Sequence, residues 1–310
     1  MRIIYFGTPE FAVPSLQALI ESGEEVIAVI TRTDKLKGRG HKLSLPPVKE
    51  LALSRGIPVI QPSGIRTPAF LYEMAKLSPD IIVVVAYGRI IPPALLKLPP
   101  LGCVNVHASL LPHYRGAAPI QWALINGEEK TGITTMFMDE GLDTGDILFQ
   151  EEVAIHEEDN AYTLGLRLSQ AGAALLVKTL KGVKGKMISP VPQRGEASYA
   201  PLLKKENGKI SWSLSAREIA NLIRGAYTWP GAYGYLHGVK IHMIKARVVH
   251  ESDTGTAGCI EKVTDGEIIV ATGAGMLAVK EVKPEGKKIM SASAFMHGRH
   301  LKEGAIFDNL

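Results

Sequence analysis

The first half of the chain alternates short apolar runs, rich in β-branched residues, with segments of helical periodicity. The strand-like runs are "RIIYFG" (2–7), "EVIAVIT" (25–31), "IPVIQP" (57–62) and "DIIVVVA" (80–86), and helix-like segments lie between them near 14–22, 46–55 and 68–77. Such alternation is typical of a parallel sheet with helices on both faces. "DIIVVVA" is apolar throughout, as in a central strand that is covered on both sides. The pattern predicts an α/β fold with a doubly wound, mostly parallel sheet.

The following residues extend this sheet. "CVNVHA" (103–108) predicts a further strand, and a helix is predicted near 118–126. "GITTMFM" and "DILFQEEVAI" predict a hairpin-like pair of strands around "DEGLDTGD", and a long helix is predicted over 161–181. We therefore assign residues 1–189 to one domain.

The texture of the sequence changes near residue 182, where Gly, Pro and Lys become frequent and apolar periodicity ends. We assign 190–205 to a linker. Beyond it, a helix near 215–225 and closely spaced short strands with Gly-containing turns predict a small OB-like β-barrel over 206–310.

Composition limits the class of protein. Hydrophobic residues make up 46% and charged residues 21% of the 310, as in ordinary globular proteins. No apolar run reaches the ~20 residues that span a bilayer, and no signal peptide is recognisable, so we expect a cytoplasmic protein without a membrane partner. The two cysteines, Cys103 and Cys259, are far apart, which argues against a disulfide framework or a thiolate metal site.

Charge is unevenly distributed. Residues 1–189 hold 19 basic and 19 acidic residues, whereas 190–310 hold 16 and 12, so the whole net charge of +4 lies in the second part. This asymmetry fits a polyanionic partner, and it equally fits an ordinary solvated surface.

Asn105 and His107 stand two apart in "VNVHASLLPHYRG" (104–116). In a strand they point to one face, while the valines point to the other. An amide beside an imidazole can stabilise an oxyanion and move a proton. Because ligands bind beyond the carboxyl ends of parallel strands, the pair is a candidate active site. Two hydrogen-bonded polar residues at a strand end remain the alternative.

An acidic loop, "MDEGLDTGDIL" (138–148), carries Asp139, Asp143 and Asp146. Its glycines permit a tight backbone path, so a carboxylate there can reach a neighbouring strand end. For Asp139 and Asp146 a solvated turn is the simpler interpretation. Neither an ATP-binding GxxxxGK[ST] loop nor a dinucleotide GxGxxG fingerprint occurs.

"NVHASLLPHYRGAAPIQWAL" followed by "GLDTGDIL" resembles the formyltransferases that use 10-formyltetrahydrofolate. Further matches to the tRNA-formylating branch of this family are "FGTPEFA" (6–12), "GRG" (38–40), "SPDIIVVVAYGRIIP" (78–92), "WSLSAREI" (212–219), "WPGA" (229–232) and "GKKIMSA" (286–292). His113 departs from the family, which usually has a larger basic residue there.

The resemblance implies a Rossmann-like catalytic domain and transfer of formyl from 10-formyltetrahydrofolate to the α-amino group of methionine on initiator methionyl-tRNA. Asn105 would stabilise the oxyanion, His107 would move a proton, and Asp143 would assist His107 and accept the amine proton. The backbone of Ser109, Leu110, Leu111 and Pro112 would border the folate. No metal or ATP is implied, because the formyl donor is already activated.

The same resemblance gives the mobile, basic loop "TRTDKLKGRGHKL" (31–43) a role in binding the acceptor stem. Arg39, Lys42 and, beside the site, Arg115 would contact tRNA. The basic second domain would hold the tRNA backbone, with Lys204, Lys205, Lys209, Lys287 and Lys288 as candidates. Nothing demands more than a monomer.

Two alternatives remain open at the level of sequence. A formyltransferase acting on a small amine, such as glycinamide ribonucleotide or an amino sugar nucleotide, would share the Asn–His–Asp set. A non-catalytic RNA-binding protein on the same scaffold would bind RNA without needing Asn105, His107 or Asp143.

Overall fold

The computed structural model describes residues 1–37, 42–252 and 255–308. The chain forms two compact units. The first comprises Met1–Pro119, Lys130–Ala154 and Gly165–Pro201, and the second comprises Ile120–Glu129, Ile155–Leu164 and Leu202–Leu310. The second unit thus includes two short segments from the first half of the chain, which the sequence pattern does not set apart.

The first unit is built on a seven-stranded sheet. Its strands are β1 (Arg2–Gly7), β2 (Glu25–Ile30), β5 (Val59–Ile60), β6 (Ile81–Val85), β7 (Cys103–His107), β8 (Lys130–Phe137) and β9 (Ile147–Ala154). Their order in the sheet is β5-β2-β1-β6-β7-β8-β9. The first five strands in this order are parallel, and β8 and β9 are antiparallel. The predicted doubly wound, mostly parallel sheet is confirmed.

Helices follow most of these strands. They are α1 (Val13–Glu21), α2 (Pro47–Ser54), α3 (Pro68–Lys76), α4 (Pro93–Leu96), α5 (Pro119–Ile125) and α6 (Ala161–Lys184). The helices α1 to α4 each have a proline in the first two positions, where its missing N–H costs no helical hydrogen bond. None of the described helices is both long and apolar enough to cross a membrane.

The strand order indicates which edge of the sheet would bind a ligand. The order reverses between β1 and β6, and the parallel strands β1, β6 and β7 end at Gly7, Val85 and His107 on one edge of the sheet. β6 is buried along its whole length and packs with β1 through residues such as Phe6 and Val84. A rigid, covered centre therefore supports the edge at which such sheets bind ligands.

The second unit contains an antiparallel sheet, the helices α7 (Ala216–Gly225) and α8 (Ala292–Gly298), and nearly all of α5. The strands are β10 (Ala232–Leu236), β11 (Val239–His250), β12 (Ile260–Val263), β13 (Ile268–Ala271), β14 (Met276–Pro284) and β15 (Met290–Ser291). They follow the path β10-β11-β14-β13-β12, which is extended by β15 pairing with β14. Three register shifts between β11 and β14 bend this pair, and the core includes Trp212, which stacks on Phe307.

Two segments differ from their predictions. The stretch 31–43, predicted as a mobile loop, contains strands β3 (Lys35–Lys37) and β4 (Lys42–Ser44), which pair with each other on either side of the undescribed residues 38–41. Residues 190–201, predicted as part of a linker, lie in the first unit, because Val191 pairs with Ile147 and Tyr199 pairs with Arg115.

Candidate active site

Asn105 and His107 lie on β7 between two strands that hold its backbone. Asn105 pairs with Val84 of β6 and Met136 of β8, and His107 pairs with Thr134. The side chains are 9% and 6% exposed. Within residues 1–37, 42–252 and 255–308, no group hydrogen-bonds to the Asn105 amide. The amide is therefore a fixed, nearly buried donor with its hydrogen-bonding capacity unused.

The imidazole of His107 is oriented by a backbone carbonyl. Its Nε2 lies 2.9 Å from the carbonyl oxygen of Tyr114. Because a carbonyl only accepts, Nε2 carries a hydrogen, and Nδ1 is the nitrogen with a free lone pair in the neutral ring. Nδ1 lies 3.7 Å from Asp143 Oδ2. A proton taken up by His107 therefore sits on Nδ1, facing a carboxylate.

Asp143 reaches His107 from a loop that begins at the opposite end of β7. The loop between β8 and β9 leaves the sheet at Phe137, which pairs with Val104, whereas His107 pairs with Thr134. The loop must therefore fold back over the sheet to bring its carboxylate to the imidazole. Asp143 itself has φ +53, and its Oδ2 accepts a hydrogen bond of 2.8 Å from the backbone N–H of Gly116.

Other residues of this loop hold its shape. Asp139 accepts hydrogen bonds from the Gly141 N–H and from the Thr144 hydroxyl. A Cβ at Gly145 would overlap the carbonyl of Phe137, so glycine is required there. Asp139 thus serves the turn, as the simpler interpretation of the sequence expects, while Asp143 faces the site.

Gln193 is a residue of this site that sequence reasoning missed. Its Nε2 donates to the carbonyls of Asp143 and Gly145, each at 2.8 Å. Its Oε1 accepts from Arg115 Nε at 3.1 Å and from Nη2 at 2.6 Å. Gln193 lies in a Gly- and Pro-rich segment with no periodicity, so no local pattern distinguishes it.

The turn that follows β7 is tied to its neighbours through its backbone. The carbonyls of Ser109 and Leu111 accept from Thr134 Oγ1 and Gln150 Nε2, and those of Leu110 and Pro112 accept from the N–H groups of His113 and Ser198. Ser109 and Leu111 are buried. The turn is therefore a firmly held rim next to His107.

The three residues predicted to contact tRNA differ in their surroundings. Two donors of Arg115 are bound to Gln193, and its backbone pairs with residues 198–200. Lys42 begins β4. Arg39 lies outside the described residues.

The thiols take no part in this arrangement. Burial raises the pKa of Cys103 to about 12, and burial and Glu261 raise the pKa of Cys259. Neither is a thiolate near neutral pH. In the described part of the chain, no group of three or more His, Cys, Asp or Glu side chains is arranged to hold a metal ion.

Known proteins resemble this chain along its whole length. A family model described as formyl transferase matches residues 1–180, and one described as formyl transferase, C-terminal domain, matches 202–300. Proteins named methionyl-tRNA formyltransferase from Thermodesulfovibrio yellowstonii and Pelotomaculum thermopropionicum are 51% and 52% identical. The alignments cover 97% of both chains in the first case, and 99% of this chain and 98% of the relative in the second.

A solved structure shares the fold. The N-formyltransferase from Helicobacter canadensis, in complex with folinic acid and dTDP-3-aminofucose, aligns with a TM-score of 0.68 at 20% identity. The alignment covers 90% of this chain and 99% of that one. At this identity the likeness concerns the fold alone. The family models and the full-length relatives show that the chain belongs to the formyl transferase family.

Proposed function

We propose that this enzyme transfers the formyl group of 10-formyltetrahydrofolate to the α-amino group of methionine on initiator methionyl-tRNA. Two full-length relatives at 51% and 52% identity carry the name of that activity. The observation that carries the chemistry is the placement of His107 Nδ1 3.7 Å from Asp143, on the same strand face as the unbonded Asn105 amide. Formyl transfer requires a donor for the oxyanion, a proton for the leaving nitrogen and an acceptor for the proton of the amine, and these three groups can supply them.

The reaction moves one carbon and one proton. The amine nitrogen attacks the formyl carbon, the bond from that carbon to the folate nitrogen breaks, and the proton lost by the amine ends on the folate nitrogen. A negative oxygen develops during the attack, and the Asn105 amide donates a hydrogen bond to it. His107, protonated on Nδ1, delivers that proton to the leaving nitrogen, while Asp143 orients the ring and, through water, receives the proton of the amine. The proton on Asp143 then passes to His107 Nδ1, so both residues return to their starting states.

The formyl donor would lie along the rim next to His107. The Ser109–Pro112 backbone is held by Thr134, Gln150 and Ser198, so the rim keeps its shape when a ligand arrives. The Leu111 side chain is buried, so the backbone of this turn is what borders the ligand. After β6 ends at Val85, the chain continues through Ala86 at φ +48 to Tyr87, which is buried and packs edge-on against Phe6. This segment forms the apolar side of the folate site.

The tRNA would be held by lysines that are free of acidic partners. Lys204, Lys205, Lys209, Lys287 and Lys288 are exposed, and none forms an ion pair with another described residue. By contrast, Arg217, Lys245 and Arg247 of the same unit pair with Glu251, Glu158 and Glu267. The five free lysines, with Arg39 and Lys42, are the candidates for binding phosphates, whereas two donors of Arg115 are already bound to Gln193.

A direct assay tests this function. Purified full-length protein is mixed with methionine-charged initiator tRNA and 10-formyltetrahydrofolate, and formylmethionine released from the tRNA is measured. Uncharged tRNA and methionine-charged elongator tRNA serve as controls. Turnover with glycinamide ribonucleotide or an amino sugar nucleotide, and none with charged tRNA, would contradict the proposed acceptor.

A further inference from the structure

The amide of Gln193 fits its surroundings in one orientation only. The Arg115 guanidinium can only donate, so it requires the amide oxygen, and the carbonyls of Asp143 and Gly145 can only accept, so they require the amide nitrogen. All four hydrogen bonds are satisfied together. Gln193 therefore connects the acidic loop to Arg115 with a defined geometry.

This connection bears on Asp143 because its loop must be held in place to keep the carboxylate at His107. The Gly116 N–H fixes one carboxylate oxygen, and Gln193 fixes the backbone carbonyls of Asp143 and Gly145, at and just after the residue that carries the side chain. Asp143 also has φ +53, a left-handed conformation that is uncommon for non-glycine residues, although Asp tolerates it better than most. Without Gln193, the main chain at 143–145 would lose two of the bonds that keep the carboxylate over His107.

We propose that Gln193 is a positioning residue for the formyl transfer: it holds Asp143 at His107 Nδ1, and Arg115 sets the orientation of the Gln193 amide. This role rests on the proposed function. It assigns Arg115 a task within the catalytic unit, in place of the tRNA contact predicted from sequence. Neither Gln193 nor Arg115 needs to touch the reacting atoms.

Gln193→Glu keeps the oxygen that accepts from Arg115 and removes the N–H donors that bind the loop. The carboxylate still accepts from Arg115 but cannot donate to the carbonyls of Asp143 and Gly145. A misplacement of about 1 Å can cost up to about 100-fold in rate. We expect kcat to fall roughly 10- to 100-fold, with KM for the folate and for tRNA changed less than about threefold. Gln193→Met removes both sides and should lower kcat by at least as much.

A double-mutant cycle distinguishes positioning from general support of the fold. Since Gln193 acts through the Asp143 carboxylate, Gln193→Glu should lower kcat less than about twofold in an Asp143→Ala background. Single-turnover measurements give access to the slow variants. If the two losses multiply in full, or if Gln193→Glu leaves kcat unchanged, the role assigned to Gln193 is wrong.

Matched controls keep the result interpretable. Glu196→Gln changes an exposed residue of the same segment and should leave kcat and the melting temperature unchanged. Arg115→Met should lower kcat, and in combination with Gln193→Met it should lower kcat little further. An unchanged kcat with a raised KM for tRNA would overturn the part assigned to Arg115.

The wild-type assay is read first. No formylation by the wild type would defeat the proposed function, whereas normal wild-type turnover with unaffected Gln193 variants would defeat only this inference.

Discussion

At the scale of single residues, Asn105 offers the most direct test of the proposed chemistry. Its amide is nearly buried, its backbone is paired on both sides, and its side chain is free of hydrogen bonds within the described residues. A donor held in this way is available to a substrate oxygen on which charge develops.

We therefore expect Asn105→Ala to lower kcat roughly 100- to 1,000-fold, the range typical of a lost oxyanion donor. Affinity for the folate should change only a few-fold, because the oxyanion forms after binding. Single-turnover formylation and equilibrium folate binding measure the two effects separately. A loss that appeared mainly as weaker folate binding would place Asn105 in the binding site and not at the oxyanion.

Local sequence patterns identified the candidate site residues whose positions follow from local geometry. The two-residue period of a strand put Asn105 and His107 on one face, and the glycines around Asp143 indicated a loop able to bend toward a neighbour. The tautomer of His107 depends on a carbonyl seven residues away, and the proposed role of Gln193 depends on a long-range interaction. Tyr114 faces His107 through a turn, and Gln193 is 50 residues from Asp143. No period in the sequence encodes such interactions.

The helix α7 illustrates how a single element is stabilised at its start. Ser215 is its N-cap: the hydroxyl accepts from the Glu218 N–H, while the Glu218 carboxylate accepts from the Ser215 N–H and hydroxyl. This reciprocal pair satisfies two backbone donors that a helix start otherwise leaves unpaired. The hydrogen bonds from the Ser215 hydroxyl and then from its backbone lower the pKa of Glu218.

Ser215→Ala should lower the free energy of unfolding by about 1 kcal/mol near neutral pH, as is usual for a lost N-cap. The contribution of Glu218 depends on pH. Because its folded pKa is lower than its unfolded value of ~4.3, its stabilisation is present above that value and is lost as pH falls through the folded pKa. Urea titrations of wild type and Glu218→Gln should differ at pH 7 and converge in acid. A difference that stayed constant down to about pH 3 would contradict this account.

The longer helices were predicted well, whereas several of the shortest elements were missed. The helices α1, α2, α3, α6 and α7 have eight or more residues and carry a full apolar period, and their predicted bounds lie within a few residues of those observed. Strands β3 and β4, with three residues each, and helix α4, with four, are too short to show a period. Their positions are decided by pairing or packing, which a local pattern does not record.

At the scale of the whole molecule, each unit combines segments that are distant in the chain. In the second unit, Arg224 donates to the carbonyls of His156 and Glu157, and a Cβ at Gly225 would overlap Ile125. Residues 120–129 and 155–164 thus depend on helix α7 for their partners. A domain limit drawn from composition alone misses such exchanges, because each segment is too short to change the local texture.

Net charge is the property that belongs to the molecule as a whole. The catalytic half is neutral, and the excess of four positive charges lies in residues 190–310. Among the described residues of the second unit, Arg217, Lys245 and Arg247 pair with glutamates, as Lys245 does with Glu158 at 3.3 Å. The exposed, unpaired lysines are the ones that can displace counterions from tRNA phosphates.

Affinity for initiator tRNA should therefore fall steeply with salt, and log Kobs should be linear in log salt with a slope set by the number of neutralised phosphates. Replacing Lys287 and Lys288 together by alanine should reduce the slope by roughly one for each phosphate that is no longer neutralised. Lys245→Ala is the matched control: it removes the same charge from the same unit, but from a lysine already neutralised by Glu158, so the slope should change less. Binding assays from about 50 to about 200 mM salt give the slopes, and folate affinity measured alongside should be unaffected in both variants. Equal slopes for the double variant and the wild type would show that the tRNA lies elsewhere on the molecule.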